Sequence, residues 1–304
     1  MRITNHTVAA TILAGIQASG FRALTLQEQL ATGRRINRPS DDPIGSSLAM
    51  AYRSRLTGID QFTRNIGAAL DRLAATENTV TQLSDIMNRA FTLAEKGASD
   101  GSSTEVRLNL ATEVDQLLEE FVSLGNSKAD GRYLFAGTAD NQPAFTVTRN
   151  IAGQIDSVTA SATADQSVVR LVGENETIEV NLGADETFGT GGTGQDLYQV
   201  LIDLRDRLAA DDGNGVRALV PIIPSAVDQL TTELAVLGAR TNRLTDLKER
   251  FGLDQAQSEA ARSRIEDTDV TATIVELQEA QTQLQAALST GARLLNISLL
   301  DYLK

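Results

Sequence analysis

DVTATIVELQEAQTQLQAALSTGARLLNISLLDYLK, residues 269–304, is the stretch whose reading decides the fold. Its apolar residues Val270, Ile274, Leu277, Leu284, Leu288, Leu295 and Leu299 recur at steps of three, four or seven. That spacing is the seam of a helix meant to pack on another helix. Asp267, Thr268 and Asp269 supply N-cap chemistry just ahead of it. A seam so late in the sequence has little neighbouring chain to cover it. It needs a partner, either the N-terminal stretch of the same chain or another molecule.

The N-terminal stretch offers one. Val8, Ile12, Ile16, Ser19, Ala23, Leu26 and Leu30 step by four or three, again heptad-like. Residues 1–38 carry five arginines against Glu28, a net +4, while residues 266–304 carry a net −4. Opposite charge favours pairing of the two ends and disfavours self-pairing of either. The plainer alternative is two surface helices of one globular domain.

Moving inward, Gly33 is a natural helix stop, and Ser40, Asp41, Asp42 and Pro43 are a helix start. The Asp pair could be read as a metal or acid–base site. No His or third carboxylate lies close by, so a cap against the helix dipole is the better account. From Pro43 a three-and-four step runs unbroken through Ile59, Phe62, Ile66, Ala69, Leu73, Thr76, Val80, Leu83, Met87, Ala90 and Ala94. That predicts a helix of about fifty residues, about 75 Å long at 1.5 Å per residue, ending near Gly97. Val106, Leu110, Val114, Leu117, Phe121 and Leu124 mark a third helix. Residues 144–182 then change period to strand-like alternation, as in Ile178, Val180 and Leu182. Helix returns over 196–210, and a second long helix carries Val227, Leu230, Leu234, Leu237, Leu244, Leu247 and Phe251.

The pattern is a palindrome. It predicts a mainly α protein: a long antiparallel coiled-coil-like rod built from paired N- and C-terminal halves, with a small inserted β-rich domain. The expected divisions are terminal-helix segments at 1–42 and 266–304, rod halves at 43–139 and 195–265, and the β-rich insert at 140–194.

Composition agrees. There is no Cys and no Trp, and only 4% of the 304 residues are aromatic. Such a chain makes long helices with thin seams more readily than a thick core. A net charge of −13 argues against a general nucleic-acid binder. No apolar run approaches the roughly 18 residues of a membrane span, and no cleavable secretion signal is read at the N-terminus. Zero Cys removes disulfides and thiolate metal sites.

No catalytic constellation emerges. His6 is the only histidine, too isolated to be a base or a ligand set. GTGGTG at 189–194 formally fits G-x-G-x-x-G, but no parallel βαβ pattern surrounds it and no P-loop lysine is present. A flexible hinge leaving the β-region is its better use. The expectation is a non-enzyme with no cofactor and no metal.

Three blocks carry a resemblance. LATGRRINRPSDDPIGSSLAMAYRSRL at 30–56, LGARTNRL at 237–244 and DTDVTATIVELQEAQTQLQAALSTGARLLNISLLDYL at 267–303 resemble the bacterial flagellin superfamily. GRYLFAGTADNQPAF at 131–145, with the Pro of DDP and the ending SLLDYL, is similar to its hook–filament junction branch. The middle β-region matches only in position and character. The resemblance implies a structural subunit outside the cell, in the flagellum, exported unfolded through the flagellar type III apparatus. Its implied partners are further copies of itself in a ring, hook-associated protein 1 on the hook side, flagellin on the filament side and an export chaperone. Nucleic acid and membrane are not among them. It also implies termini that order on assembly. The seam residues Val8, Ile12, Ile16, Leu26, Leu30, Ile274, Leu277, Leu284, Leu288, Leu295 and Leu299 would then be the assembly interface. Arg35, Ile36, Asn37, Asp41, Asp42 and Pro43 would be the family motif. Flagellin itself is the alternative within the superfamily, and a cytoplasmic coiled-coil scaffold is a more distant one.

Overall fold

The computed structural model describes the backbone of residues 5–192 and 194–302, and the side chains of 7, 10–192 and 194–293. The fold is mainly α, with long helices packed on one another and three small antiparallel strand pairs. In order these are α1 (Asn5–Thr32), α2 (Pro43–Ala98), α3 (Thr104–Gly125), β1 (Lys128–Ala129), β2 (Arg132–Tyr133), β3 (Phe145–Arg149) and β4 (Ile155–Ala160). There follow β5 (Val169–Leu171), β6 (Thr177–Glu179), α4 (Ala184–Phe188), α5 (Leu197–Ala209), α6 (Gly213–Leu219), α7 (Ile222–Glu266) and α8 (Val270–Tyr302). The chain divides into two units, one made of residues 1–58 and 252–304, the other of residues 59–251. The division falls within α2 and α7.

The 59–251 unit holds the hydrophobic core. Along α2 the buried residues of the cluster are Ile66, Ala69, Leu73, Val80, Leu83, Ile86, Met87, Ala90, Leu93 and Ala94; they contain the apolar stripe read from the sequence between Ile66 and Ala94, widened by Ile86 and Leu93. In α3 the buried face is Ala111, Val114, Leu118, Phe121 and Val122, turned about one position from the expected Leu110 and Leu117, while Val106 is exposed. The cause is α5: its face of Leu197, Tyr198, Leu201, Leu204 and Leu208 packs on α3, and a tertiary partner sets which side of a helix is covered. Ser103 caps α3, its hydroxyl accepting from the Val106 N–H at 3.3 Å. Phe62 of α2 and Phe251 of α7 stack at 5.7 Å.

The strand region does not carry a core of its own. Phe145, Ile155, Val172, Ile178, Val180 and Leu182 belong to the same buried cluster as the helices. At its centre Phe121, Phe145, Phe188 and Tyr198 meet edge-on or stacked, with centroids 4.7–6.0 Å apart. A Cβ on Gly125 would stand 2.2 Å from the Tyr198 hydroxyl, so only glycine lets α3 approach there. β3 and β4 form a hairpin in the register Phe145↔Ala160 and Val147↔Val158, with an irregularity at Thr148/Arg149. β5 and β6 pair Arg170↔Ile178. The GTGGTG loop follows the helix α4, not a strand. The Gly191 N–H donates to Asp185 and the Gln195 N–H to Gln229 of α7, which ties the described residues on either side of Thr193 to α4 and α7. Thr193 lies outside the described residues.

The other unit is thin. Its buried residues, among those described, are few and mostly small or polar: Leu26, Ile36, Gly45, Ser46, Ala49, Ser258, Glu266, Thr273, Ala280 and Gly291. Among the described residues, none of the main hydrophobic cluster lies in it.

Candidate assembly surface

α1 and α8 pack on each other antiparallel. Arg22 meets Glu276 at 3.8 Å, a Cβ on Gly291 would stand 3.2 Å from Ile12 and 3.3 Å from Ile16, and Arg34 bridges Asp267. On α1 the covered residues are Ile12, Ile16, Ser19, Ala23, Leu26 and Leu30, the face the spacing indicates. On α8 they are Thr273, Leu277, Ala280, Leu284, Ala287 and Gly291. Leu277 and Leu284 are shared with the expected seam. Val270, Ile274 and Leu288 are not; they are about half exposed. The physical reason is size. Ser19, Ala23, Ala280, Ala287 and Gly291 let the two backbones approach, which a row of leucines would prevent. Val8, Leu295 and Leu299, like His6, lie outside the residues whose side chains are described.

The pair therefore leaves a second apolar stripe uncovered on each helix. Leu13, Phe21 and Leu24 stand out from α1, and Val270, Ile274 and Leu288 from α8. Ile44, Leu48 and Met50 on the first turns of α2, with Leu253 on α7, are also exposed. Large apolar residues exposed along the faces of neighbouring helices make this a candidate interaction surface.

The two breaks in the helical path, 33–42 and 267–269, are stitched to each other. Gly33 takes φ +70°, which ends α1 and turns the chain. The Thr268 N–H donates to the Gly33 carbonyl at 3.0 Å, and the Arg35 N–H to the Glu266 carbonyl at 2.7 Å. The motif residues do this local work. The Arg35 guanidinium donates to Asp42 at 3.1 Å and to the Ile265 carbonyl at 3.0 Å. Ile36 is buried. Asn37 donates its side-chain amide to the Arg34 carbonyl, and Asp41 accepts the N–H groups of Asn37 and Arg38. Asp42 accepts the Gly45 N–H at 2.9 Å ahead of α2, and Pro43 opens that helix. The Asp pair thus caps and ties a turn. That Gly45 N–H, then the Arg35 guanidinium, hold the Asp42 carboxyl below its usual range. A Cβ on Gly45 would stand 2.6 Å from Ile36. Among the described residues, no group of three His, Cys, Asp or Glu could hold a metal ion.

Glu266 is the residue the sequence reading missed. Its side chain is 2% exposed and ion-paired with Arg34 at 3.0 Å and with Arg53. One carboxylate oxygen takes both partners; the other, Oε2, is buried with no hydrogen-bond partner. The only signal in the sequence was a carboxylate closing a long helix, and its partners lie more than two hundred residues upstream. The 237–244 block also gains a physical role. Arg240 donates to Glu179 and to the Asn181 carbonyl, each at 2.7 Å, and Arg243 donates to Glu176 at 2.8 Å, fastening the β5–β6 hairpin to α7.

Charge divides with the units. Residues 1–58 and 252–304 hold eleven acidic and eleven basic side chains and are neutral; residues 59–251 hold twenty-nine acidic and sixteen basic and carry the whole −13.

Paired chain-end helices, long helices within and a strand-bearing middle define a class of helical structural subunit. The family model for the bacterial flagellin N-terminal helical region matches residues 3–140, and that for the bacterial flagellin C-terminal helical region matches residues 220–303. The chain belongs to the bacterial flagellin family. It is similar to the flagellar filament 30.7 kDa core protein of Treponema maltophilum, at 26% identity over 88% of this chain and 86% of that one. It is also similar to flagellar hook-associated protein 3 of Escherichia coli, at 24% identity with both chains covered in full. The crystal structure of flagellar hook-associated protein 3 from Legionella pneumophila shares the fold, with a TM-score of 0.61 over 71% of this chain and 98% of that one at 15% identity.

Proposed function

We propose that this flagellar protein is the subunit that joins hook to filament. The observation that carries the reading is the end-to-end match to a hook-associated protein 3, together with the GRYLFAGTADNQPAF block at 131–145. The mechanism is positional. The 1–42 and 266–304 segments of neighbouring copies pack as an inner layer, through the apolar stripes that the α1–α8 pair leaves exposed. The 43–139 and 195–265 segments form the next layer, and the 140–194 region faces outward. Copies assemble in a ring through heterologous contacts. One face meets hook-associated protein 1 and the other flagellin. The chain reaches that position unfolded, through the flagellar export apparatus and with an export chaperone. It works as a scaffold and needs no cofactor.

Flagellin is the second reading, favoured by the similarity to a filament core protein. Immunogold electron microscopy of isolated flagella, with antibody to this chain, separates the two. Label confined to one point between hook and filament is the expected result. Label along the whole filament makes the chain a flagellin. Detection only inside the cell removes both.

A further inference from the structure

The division between the two units falls at Gly58 in α2 and at Gly252 in α7, both inside unbroken helix. Glycine in a helix interior is destabilising relative to alanine, so it calls for a packing or backbone reason. Gly45, Gly97 and Gly125 have one: a Cβ on each would stand 2.5 Å or less from a neighbouring atom. Gly58 and Gly252 have none. A Cβ on either meets nothing within 4 Å, and neither takes a positive φ. The two glycines also lie level with each other. Arg55 pairs with Asp254 at 2.7 Å on one side of them, and Phe62 stacks on Phe251 at 5.7 Å on the other. Core packing runs out at the same level. The main hydrophobic cluster ends at Ile66 on α2 and at Leu247 on α7, with Phe251 packed against its edge. Between the cluster and the glycines, Ile59 alone is buried on these two helices. Over 43–58 and 252–266 the buried residues are Gly45, Ser46, Ala49, Ser258 and Glu266, with no large apolar side chain among them.

We propose that Gly58 and Gly252 form a paired hinge, at which α2 and α7 bend together. Helices bend where glycine loosens the backbone and few contacts hold it. Two glycines are needed because both helices cross the division, and freedom in one alone is held by the other. Gly67 and Gly238 are equally open, yet Ile66 and Ala69 on one helix and Leu237 and Leu244 on the other are buried in the core beside them and brace the backbone. Bending at the hinge redirects the unit that carries the exposed stripes of α1 and α8, while the unit of residues 59–251 keeps its packing. The hinge is a property of the single chain and holds whichever flagellar role the chain has.

Residual dipolar couplings of backbone amides, measured on the isotopically labelled full chain as a monomer, test this. Motion about a hinge averages the couplings of one unit more than those of the other. The expected result is that amides of 43–57 and 253–266 fit an alignment tensor smaller in magnitude by about a fifth or more than amides of α2 and α7 within 59–251. In the Gly58→Ala/Gly252→Ala double variant the two magnitudes become equal, and in Gly67→Ala they stay as unequal as in the wild type. Alanine raises helix propensity at all three positions, so the melting temperature rises in both variants and only the tensors report the hinge. A single tensor magnitude throughout the wild-type chain overturns the proposal. Unequal magnitudes that persist in the double variant, or that Gly67→Ala also removes, overturn the assignment to these two glycines.

Discussion

Two residues show how local chemistry is traded in this chain. Tyr198 sits wholly buried in the aromatic cluster, its hydroxyl without a hydrogen-bond partner, and burial pushes its phenol well above the usual value. Removing an unsatisfied buried hydroxyl while keeping the ring is neutral to favourable. Tyr198→Phe should therefore raise stability by about 1 kcal/mol, read as a higher melting temperature; a loss of that size would mean the hydroxyl has a partner that matters. Asp42 runs the other way. Its carboxyl is held below the ordinary 3.8 by the Gly45 N–H and then by Arg35. A depressed carboxylate contributes stability that is present above its unfolded-state pKa and is lost as pH falls through the folded value. Acid below about pH 4 should loosen the 33–42 turn, while Asp42→Asn should be loosened already at neutral pH and respond less. Backbone hydrogen exchange at Gly45 and Ser46 reads this out, and equal acid sensitivity in the variant would reject it.

At the scale of elements, the α1–α8 pair is the informative case. Its seam alternates Ile12, Ile16, Leu26, Leu30, Leu277 and Leu284 with Ser19, Ala23, Ala280, Ala287 and Gly291, and a two-helix pair of that kind is marginal by itself. Leu284 lies in that seam and Leu288 outside it, about half exposed. Leu284→Asp should weaken the pair and so abolish assembly together with α1–α8 helicity. Leu288→Asp should abolish assembly while leaving monomer melting within about 0.5 kcal/mol of wild type, as for an exposed position. Circular dichroism and sedimentation measured on both variants check the contrast, and equal effects on monomer stability would contradict it. The heptad tally from the sequence placed both leucines on one seam. On α8 that tally counts only large apolar residues and cannot see a seam that includes Thr273, Ala280, Ala287 and Gly291, whereas the α1 spacing, which includes Ser19 and Ala23, matches the covered face from Ile12 to Leu30.

For the whole molecule, charge and core are partitioned together. The core and all thirteen surplus negative charges sit in residues 59–251, while the neutral remainder has a thin interior and exposed apolar stripes. Bringing copies together crowds the anionic units, and salt screens that repulsion, with a Debye length near 10 Å at 0.1 M. The threshold concentration for self-assembly should fall as NaCl rises from about 20 to about 300 mM. A rise instead would show that attractive charge pairs between copies dominate. The sequence by itself determined the helical class, the long α2 stripe, the pairing of the chain ends and the family, because each is written in local periodicity or in contiguous blocks. Only the tertiary structure decided which face of α3 and α8 is covered, that the strand region shares the helical core, and that Glu266 is buried between Arg34 and Arg53. These depend on which distant surfaces meet. A helix carries several candidate faces at once, and the partner that packs against it selects one.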